Sequence, residues 1–102
     1  MTTTITTKAT IEWISADNGG RSNGPPFGPD YAAPAKFLAH ADTWLTEAWD
    51  LLVHRVNGEA ISDTWEAEVR FRMPQAPHQW LTCGAEFELY EGRRCVARGR
   101  LA

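Results

Sequence analysis

The last third of the chain alternates apolar and charged residues with a period of two. The pattern appears in three runs, at residues 65–73, 84–90 and 94–101. Successive side chains of a β-strand point to opposite faces, so this period is typical of strands with one buried and one solvated face. The pattern predicts an all-β protein, and it constrains the rest of the chain because the buried face needs a partner.

The second and third runs are predicted to form a hairpin around a three-residue loop of Glu91, Gly92 and Arg93. In that register Leu89 faces Cys95, and the small and apolar residues of both strands share one face. A two-residue loop would set apolar residues against arginines, and register follows the buried face. The remaining predicted pairs are Phe87 with Ala97, Ala85 with Gly99, Cys83 with Leu101, Tyr90 with Arg94 and, on the solvated face, Glu86 with Arg98.

The first part of the chain predicts two more strands and a long loop. Residues 8–15 alternate and are predicted as the first strand, with residues 1–7 frayed. Glycines and prolines exclude regular structure between residues 17 and 34. Phe27 and Tyr31 are expected to pin this loop to the body of the domain, and residues 35–40 are predicted as the second strand.

Residues 42–58 support two predictions. Trp44, Leu45, Ala48, Trp49 and Leu52 recur at helical spacing, which favours an amphipathic helix between Asp42 and Gly58. Alternation of Trp49, Leu51 and Val53, followed by Asn57-Gly58, favours a strand that enters a hairpin. Periodicity alone does not decide between the two in so short a run.

Length and charge limit the class of protein. The 102 residues are predicted to form one domain, and the net charge of −3 argues against a general nucleic-acid binder. Charge is unevenly distributed: residues 70–100 carry six arginines against three acidic residues, and the rest is acidic. Such asymmetry marks either a partner surface or the solvated faces of strands. The five tryptophans are expected mainly in the core, with one or two available for a contact surface.

The two cysteines predict a reducing compartment. In the predicted register Cys83 and Cys95 share a face but lie roughly 20 Å apart, too far for a disulfide. Both are therefore expected to be free, buried and slow to react. The sequence shows no long apolar run and no signal peptide at Met1, which together favour a cytoplasmic protein.

The sequence lacks complete motifs for catalysis or metal binding. Gly19-Gly20 lacks the rest of a phosphate-binding loop. The histidines His40, His54 and His78 lie far apart and lack the spacing of zinc ligands. We therefore expect no catalytic residues, no cofactor and no metal, and a non-enzymatic role.

The order of motifs along the chain resembles that of a known family. A Gly19-Gly20-Arg21 loop after the first strand, an Ala76-Pro77 step and a final hairpin from Phe87 to Gly99 resemble the C-terminal β-barrel of bacterial elongation factor Tu. The resemblance covers residues 11–101. It implies a small closed antiparallel barrel of about six strands, with residues 49–56 as strand.

The resemblance also implies a docking role without chemistry. In the factor this barrel packs on the GTP-binding domain and touches aminoacyl-tRNA and the nucleotide-exchange factor. We expect a protein partner here, either a translation component or a toxin that exploits the factor, with RNA or tRNA bound through Arg21 and the Arg93-Arg94 turn as the alternative. The candidate contact residues are Arg21, Phe27, Tyr31, Glu91, Arg93 and Arg94.

Overall fold

The computed structural model of the protein describes residues 6–44, 46, 48–59 and 62–102. In this part of the chain six strands close into an antiparallel barrel, which confirms the predicted all-β class. The strands are β1 (Thr7–Trp13), β2 (Asp30–Phe37), β3 (Trp49–Asn57), β4 (Thr64–Phe71), β5 (Glu86–Glu91) and β6 (Arg94–Leu101). Their order around the barrel is β1-β4-β3-β2-β5-β6, and β6 pairs back onto β1.

Alternation builds the core. On β4 the side chains of Trp65, Ala67, Val69 and Phe71 are buried, and the charged residues between them face outward. The same alternation buries apolar side chains on the other five strands. Closure gives every strand two neighbours, so no edge is left with unpaired backbone groups. Complete burial of each large aliphatic or aromatic side chain contributes about 1.5–3 kcal/mol.

The barrel has two differently closed ends. At the first, which we call the loop end, β1, β3 and β5 finish and β2, β4 and β6 begin. The long β1–β2 loop and the β5–β6 turn lie there. At the other end, short 3-10 helices at Leu38–Thr43 and His78–Trp80 accompany an aromatic cluster around Phe37. Phe71, Trp80 and Phe87 pack within 5.9 Å of Phe37, ring centre to ring centre.

The structure resolves the two predictions for residues 42–58. Trp49–Asn57 is a strand, and its Leu51 and Val53 are buried, because the barrel needs a strand between β2 and β4. The helix prediction is wrong over this strand, and the described residues 38–43 before it form 3-10 helix. Leu45, which is part of the helical pattern, and Glu47, which lies within residues 42–58, are outside the described residues.

The second strand begins earlier than predicted. β2 runs from Asp30 to Phe37, whereas residues 35–40 were expected. Pro34 sits inside β2 opposite Asp50. The glycine and proline pattern therefore marks the loop correctly but overstates its length, because the sequence does not show which prolines lie within a paired strand.

The predicted three-residue loop of the last hairpin is wrong. Glu91 pairs with Arg94, which leaves Gly92 and Arg93 as a two-residue loop. A β-bulge follows, since Tyr90 pairs with Cys95 but Leu89 pairs with Ala97. The extra residue on β6 allows Val96 and Ala97 both to be buried. Beyond the bulge the register differs from the predicted one by two residues, so the predicted buried face is retained.

The cysteine predictions are partly wrong. Both cysteines are free, as expected. Cys83 is exposed, because it lies in the bend before β5 rather than on the strand. Cys95 is half-buried beside the bulge, where its thiol lies 3.5 Å from the Ala97 carbonyl oxygen. The solvated pairs also shift, so that Glu86 lies opposite Arg100 and Glu88 opposite Arg98.

Candidate functional site

The structure brings the β1–β2 loop and the β5–β6 turn together at the loop end. The Glu91 carboxylate accepts hydrogen bonds from Arg21 Nε, at 2.8 Å, and from the Tyr31 hydroxyl. Arg94 Nη1 donates to the Gly20 carbonyl oxygen at 3.3 Å. These partners are 60 to 74 residues apart in the chain. We use the name loop–turn surface for the candidate contact residues that this loop and this turn carry at the loop end: Arg21, Phe27, Tyr31, Glu91, Arg93 and Arg94.

Gly20 explains the path of the loop into this surface. A 3-10 turn at Ala16–Asn18 follows β1, and the Gly20 amide then donates to the Ser15 carbonyl oxygen at 2.9 Å. A Cβ on Gly20 would lie 1.8 Å from the Ile14 carbonyl oxygen, so only glycine fits. This close approach sets the position from which Arg21 reaches Glu91, and it gives the Gly19-Gly20-Arg21 sequence a structural cause.

Arg21 joins the two halves of the loop. Its Nη1 donates to the Gly24 carbonyl oxygen at 2.8 Å, and its guanidinium carbon lies 5.7 Å from the centre of the Tyr31 ring. The Arg21 and Glu91 side chains are 28% and 42% exposed. A single ion pair this exposed is worth about 0–1 kcal/mol, so the loop is held by the set of contacts rather than by this pair alone.

Tyr31 fastens the loop to the core. Its ring packs edge-on against Trp13 with ring centres 5.1 Å apart, and its hydroxyl donates to Glu91. Burial, together with the neighbouring Glu91 carboxylate, raises the pKa of Tyr31 far above its usual value. The phenol therefore stays protonated and keeps its hydrogen bond at all physiological pH values. The prediction that Tyr31 pins the loop is confirmed.

Phe27 does not pin the loop, which corrects the second half of that prediction. Its side chain is 87% exposed, and the neighbouring Pro26 is buried instead. Arg93 is exposed at the tip of the β5–β6 turn and makes no hydrogen bond or ion pair with the residues that the structure describes. A shallow depression of about 420 Å³ is lined by Glu91, Arg93 and Arg94. The anchored loop and turn thus expose the aromatic ring of Phe27 and the guanidinium of Arg93, which forms no ion pair with the described residues.

A second polar pair lies on the outer wall of the barrel. His54 Nδ1 donates to Asp30 Oδ1 at 2.6 Å, and the two side chains are 53% and 80% exposed. A groove of about 500 Å³ runs beside them, lined also by Tyr31, Leu52 and Arg70. Sequence reasoning missed this pair, because its partners meet only through the β2–β3 register.

The other histidines serve packing. His40 stacks on Trp80 with ring centres 4.1 Å apart, and His78 Nε2 donates to the Pro74 carbonyl oxygen at 2.8 Å. Among the described residues no group of three His, Cys, Asp or Glu side chains could hold a metal ion. No helix in the described part of the chain has the length and apolar character needed to cross a membrane.

A larger groove, of about 680 Å³, crosses the outer face of β1, β6 and β5. Its walls carry charges of both signs, with Glu12, Glu86 and Glu88 facing Arg98 and Arg100. Cys83 and Leu38 line its end near the 3-10 helices. The alternating sequence pattern predicted a solvated charged face, and this groove is where that face becomes concave.

Comparison with known proteins gives the chain no family. No protein-family model matches it, and no curated protein matches it either. What the structure shows is the closed six-stranded antiparallel barrel.

Proposed function

We propose that this chain is a non-enzymatic binding module that docks a protein partner through the loop–turn surface. The observation that carries the proposal is Phe27, which is 87% exposed on a loop held in place by Tyr31 and Arg21. An aromatic side chain on a preorganised loop loses little entropy when it binds. Exposed aromatic and arginine side chains are also the usual anchors of protein interfaces.

The likeness to the elongation-factor barrel supports the same proposal. That barrel docks proteins and carries no catalytic site. In the resemblance Arg21 matches the family's loop arginine near the tRNA, and the 91–93 turn matches a turn in the same neighbourhood, so these matches bear on the RNA alternative as well. A translation component or a toxin that exploits the factor is the class of partner we propose, in the cytoplasm. The two free cysteines support that location, since disulfides are rare there.

RNA is the less favoured partner on charge grounds. Of the three arginines offered for RNA, Arg21 is paired with Glu91, and Arg94 donates to the Gly20 carbonyl oxygen. Arg93 and Arg94 form no ion pair with the described residues, but the chain as a whole is negative, at −3. Affinity for RNA depends on the number of phosphates neutralised, so this surface offers little to a nucleic acid.

The test compares captured partners across matched variants. The native chain and a Phe27→Ala variant are immobilised and exposed to an extract of the source organism, with and without nuclease. Loss of a central aromatic anchor weakens binding by about 30-fold or more, equivalent to at least ~2 kcal/mol. We therefore expect a nuclease-resistant protein to be captured by the native chain and lost by Phe27→Ala.

Controls come from the opposite end of the barrel. Met73→Ala removes an apolar side chain that is 42% exposed, and Arg72→Ala removes an exposed arginine. Both should retain the captured protein, whereas Arg93→Ala should weaken capture. Equal capture by Phe27→Ala and Met73→Ala would refute the loop–turn surface. Nuclease-sensitive capture that weakens steeply with salt would assign the partner to RNA instead.

A further inference from the structure

Three polar side chains meet inside the loop end of the barrel. Trp13 and Trp65 pack with ring centres 4.9 Å apart, and the guanidinium carbon of Arg55 lies 5.1 Å from the Trp65 ring centre. Trp65 is fully buried and Trp13 is 6% exposed. Each of the three has a buried N–H group with no acceptor among the described residues: Trp13 Nε1, Trp65 Nε1 and Arg55 Nη1.

Arg55 is the unusual member of this cluster. It lies opposite Ala67, a core residue, and it follows the inward-facing Leu51 and Val53 on β3. Its side chain therefore takes an inward position at the loop end of the barrel, where the residue as a whole is half-buried and its Nη1 is buried. No carboxylate of the described residues pairs with it, although cation–π contact with Trp65 offsets part of the cost of burial.

Buried donors without acceptors are costly. A buried N–H left unpaired costs about 1–3 kcal/mol, and more when the group is charged. Native proteins satisfy such groups almost always. Three of them, on side chains that pack around the Trp65 ring, point to an acceptor that the described residues do not supply.

The charge and size of that acceptor follow from the surroundings. A water molecule could accept these hydrogen bonds, whereas an anion would also compensate the charge of the half-buried Arg55, which has no ion pair among the described residues. Trp65 exposes no surface, so an acceptor that reaches its Nε1 is small. The three grooves described above are lined by other residues. We propose that Trp13, Trp65 and Arg55 form a binding site for a single small inorganic anion of the size of chloride.

Iodide is a direct probe of this site, because it replaces chloride and quenches tryptophan fluorescence on contact. The native protein is titrated with sodium iodide at constant ionic strength, with sodium gluconate as the balancing salt. We expect quenching that saturates and that chloride reverses. Arg55→Met keeps the apolar stem and removes the charge, and it should require at least about tenfold more iodide.

Two controls separate binding from loss of the fold. Arg72→Met removes an arginine that pairs with Asp50 on the outer surface and should leave the titration unchanged. Trp13→Phe keeps an aromatic ring, removes one indole N–H and should weaken saturable quenching even if Arg55→Met does not fold. Quenching that rises linearly with iodide, ignores chloride or is unchanged in these two site variants would overturn the proposal.

Crystals grown in bromide give a second readout. An anomalous peak within hydrogen-bonding distance of Trp65 Nε1 would place the anion directly. Density there without an anomalous signal would identify a water molecule and overturn the proposal.

Discussion

At the scale of single residues, the two cysteines occupy different surroundings. Cys83 is exposed in the bend before β5, whereas burial raises the pKa of the Cys95 thiol and the nearby Glu88 carboxylate raises it further. The thiolate is the reactive form. We therefore predict that Cys83 reacts quickly with iodoacetamide at pH 8 and that Cys95 reacts slowly, as measured by mass spectrometry of each peptide over time.

A Cys83→Ser variant is the matched control, and it should retain only the slow phase. Unfolding in urea should bring both thiols to similar rates. Equal rates in the native state would contradict the bulge that places Cys95 half inside the barrel. The sequence predicted two slow thiols, because it placed Cys83 on the strand and missed the bulge. Neither feature is encoded by the residues near the cysteine alone.

At the scale of elements, the β5–β6 hairpin depends on the close packing of the Phe87 ring against Gly99. Gly99 lies opposite Phe87, and a Cβ on Gly99 would come 2.1 Å from the Phe87 Cζ atom. Phe87 is buried and packs against Phe37, so its ring has little room to move. We predict that Gly99→Ala lowers the free energy of unfolding by about 1–3 kcal/mol through overpacking, as measured by urea denaturation.

Gly28→Ala is the control for this prediction. A Cβ at Gly28 meets nothing within 4 Å, so the variant should stay within about 0.5 kcal/mol of the native chain. If Gly99→Ala were equally neutral, the ring of Phe87 would not be confined as described.

The same hairpin shows what sequence reasoning reaches at this scale. Alternation correctly predicted the buried face of β5 and of β6 beyond the bulge, because that depends on the order of apolar residues, but it wrongly put Val96 on the solvated face. It did not predict the bulge at Cys95 and Val96, which depends on how β6 also pairs with β1. Periodicity left Trp49–Asn57 open between helix and strand, because only closure of the barrel requires a strand there.

At the scale of the whole molecule, the loop–turn surface depends on contacts between distant parts of the chain. The sequence singled out Arg21, Tyr31 and Glu91, and the structure brings all three together. It did not predict that Phe27 would face solvent, since exposure depends on where the loop ends up against the barrel. Arg55 was missed altogether. Arg55 continues the alternation of the inward-facing Leu51 and Val53. This spacing predicts an inward arginine only once the segment is known to be a strand.

The two tyrosines predict how the whole barrel responds to alkaline pH. Tyr31 donates to Glu91 and Tyr90 to Glu88. Burial, reinforced by the Glu88 carboxylate, raises the pKa of Tyr90 to about 12, and the pKa of Tyr31 is raised further still. In the unfolded chain both ionise near their usual value of 10.0. Between those values the folded state binds more protons than the unfolded state, so stability must fall as pH rises.

We therefore predict that the tyrosines contribute full stability below pH 10 and that the free energy of unfolding declines as pH rises above that value. Urea denaturation at stepped pH measures the decline. Tyr31→Phe and Tyr90→Phe should each make it shallower, since each removes one of the protons that the folded state retains. Absorbance at 295 nm reports phenolate directly and should stay low in the folded native chain at pH 10.5. A phenolate signal of two tyrosines that appears near pH 10 while the barrel is still folded would show that neither tyrosine is held by its carboxylate, and that the β1–β2 loop is not fastened to Glu91 as described.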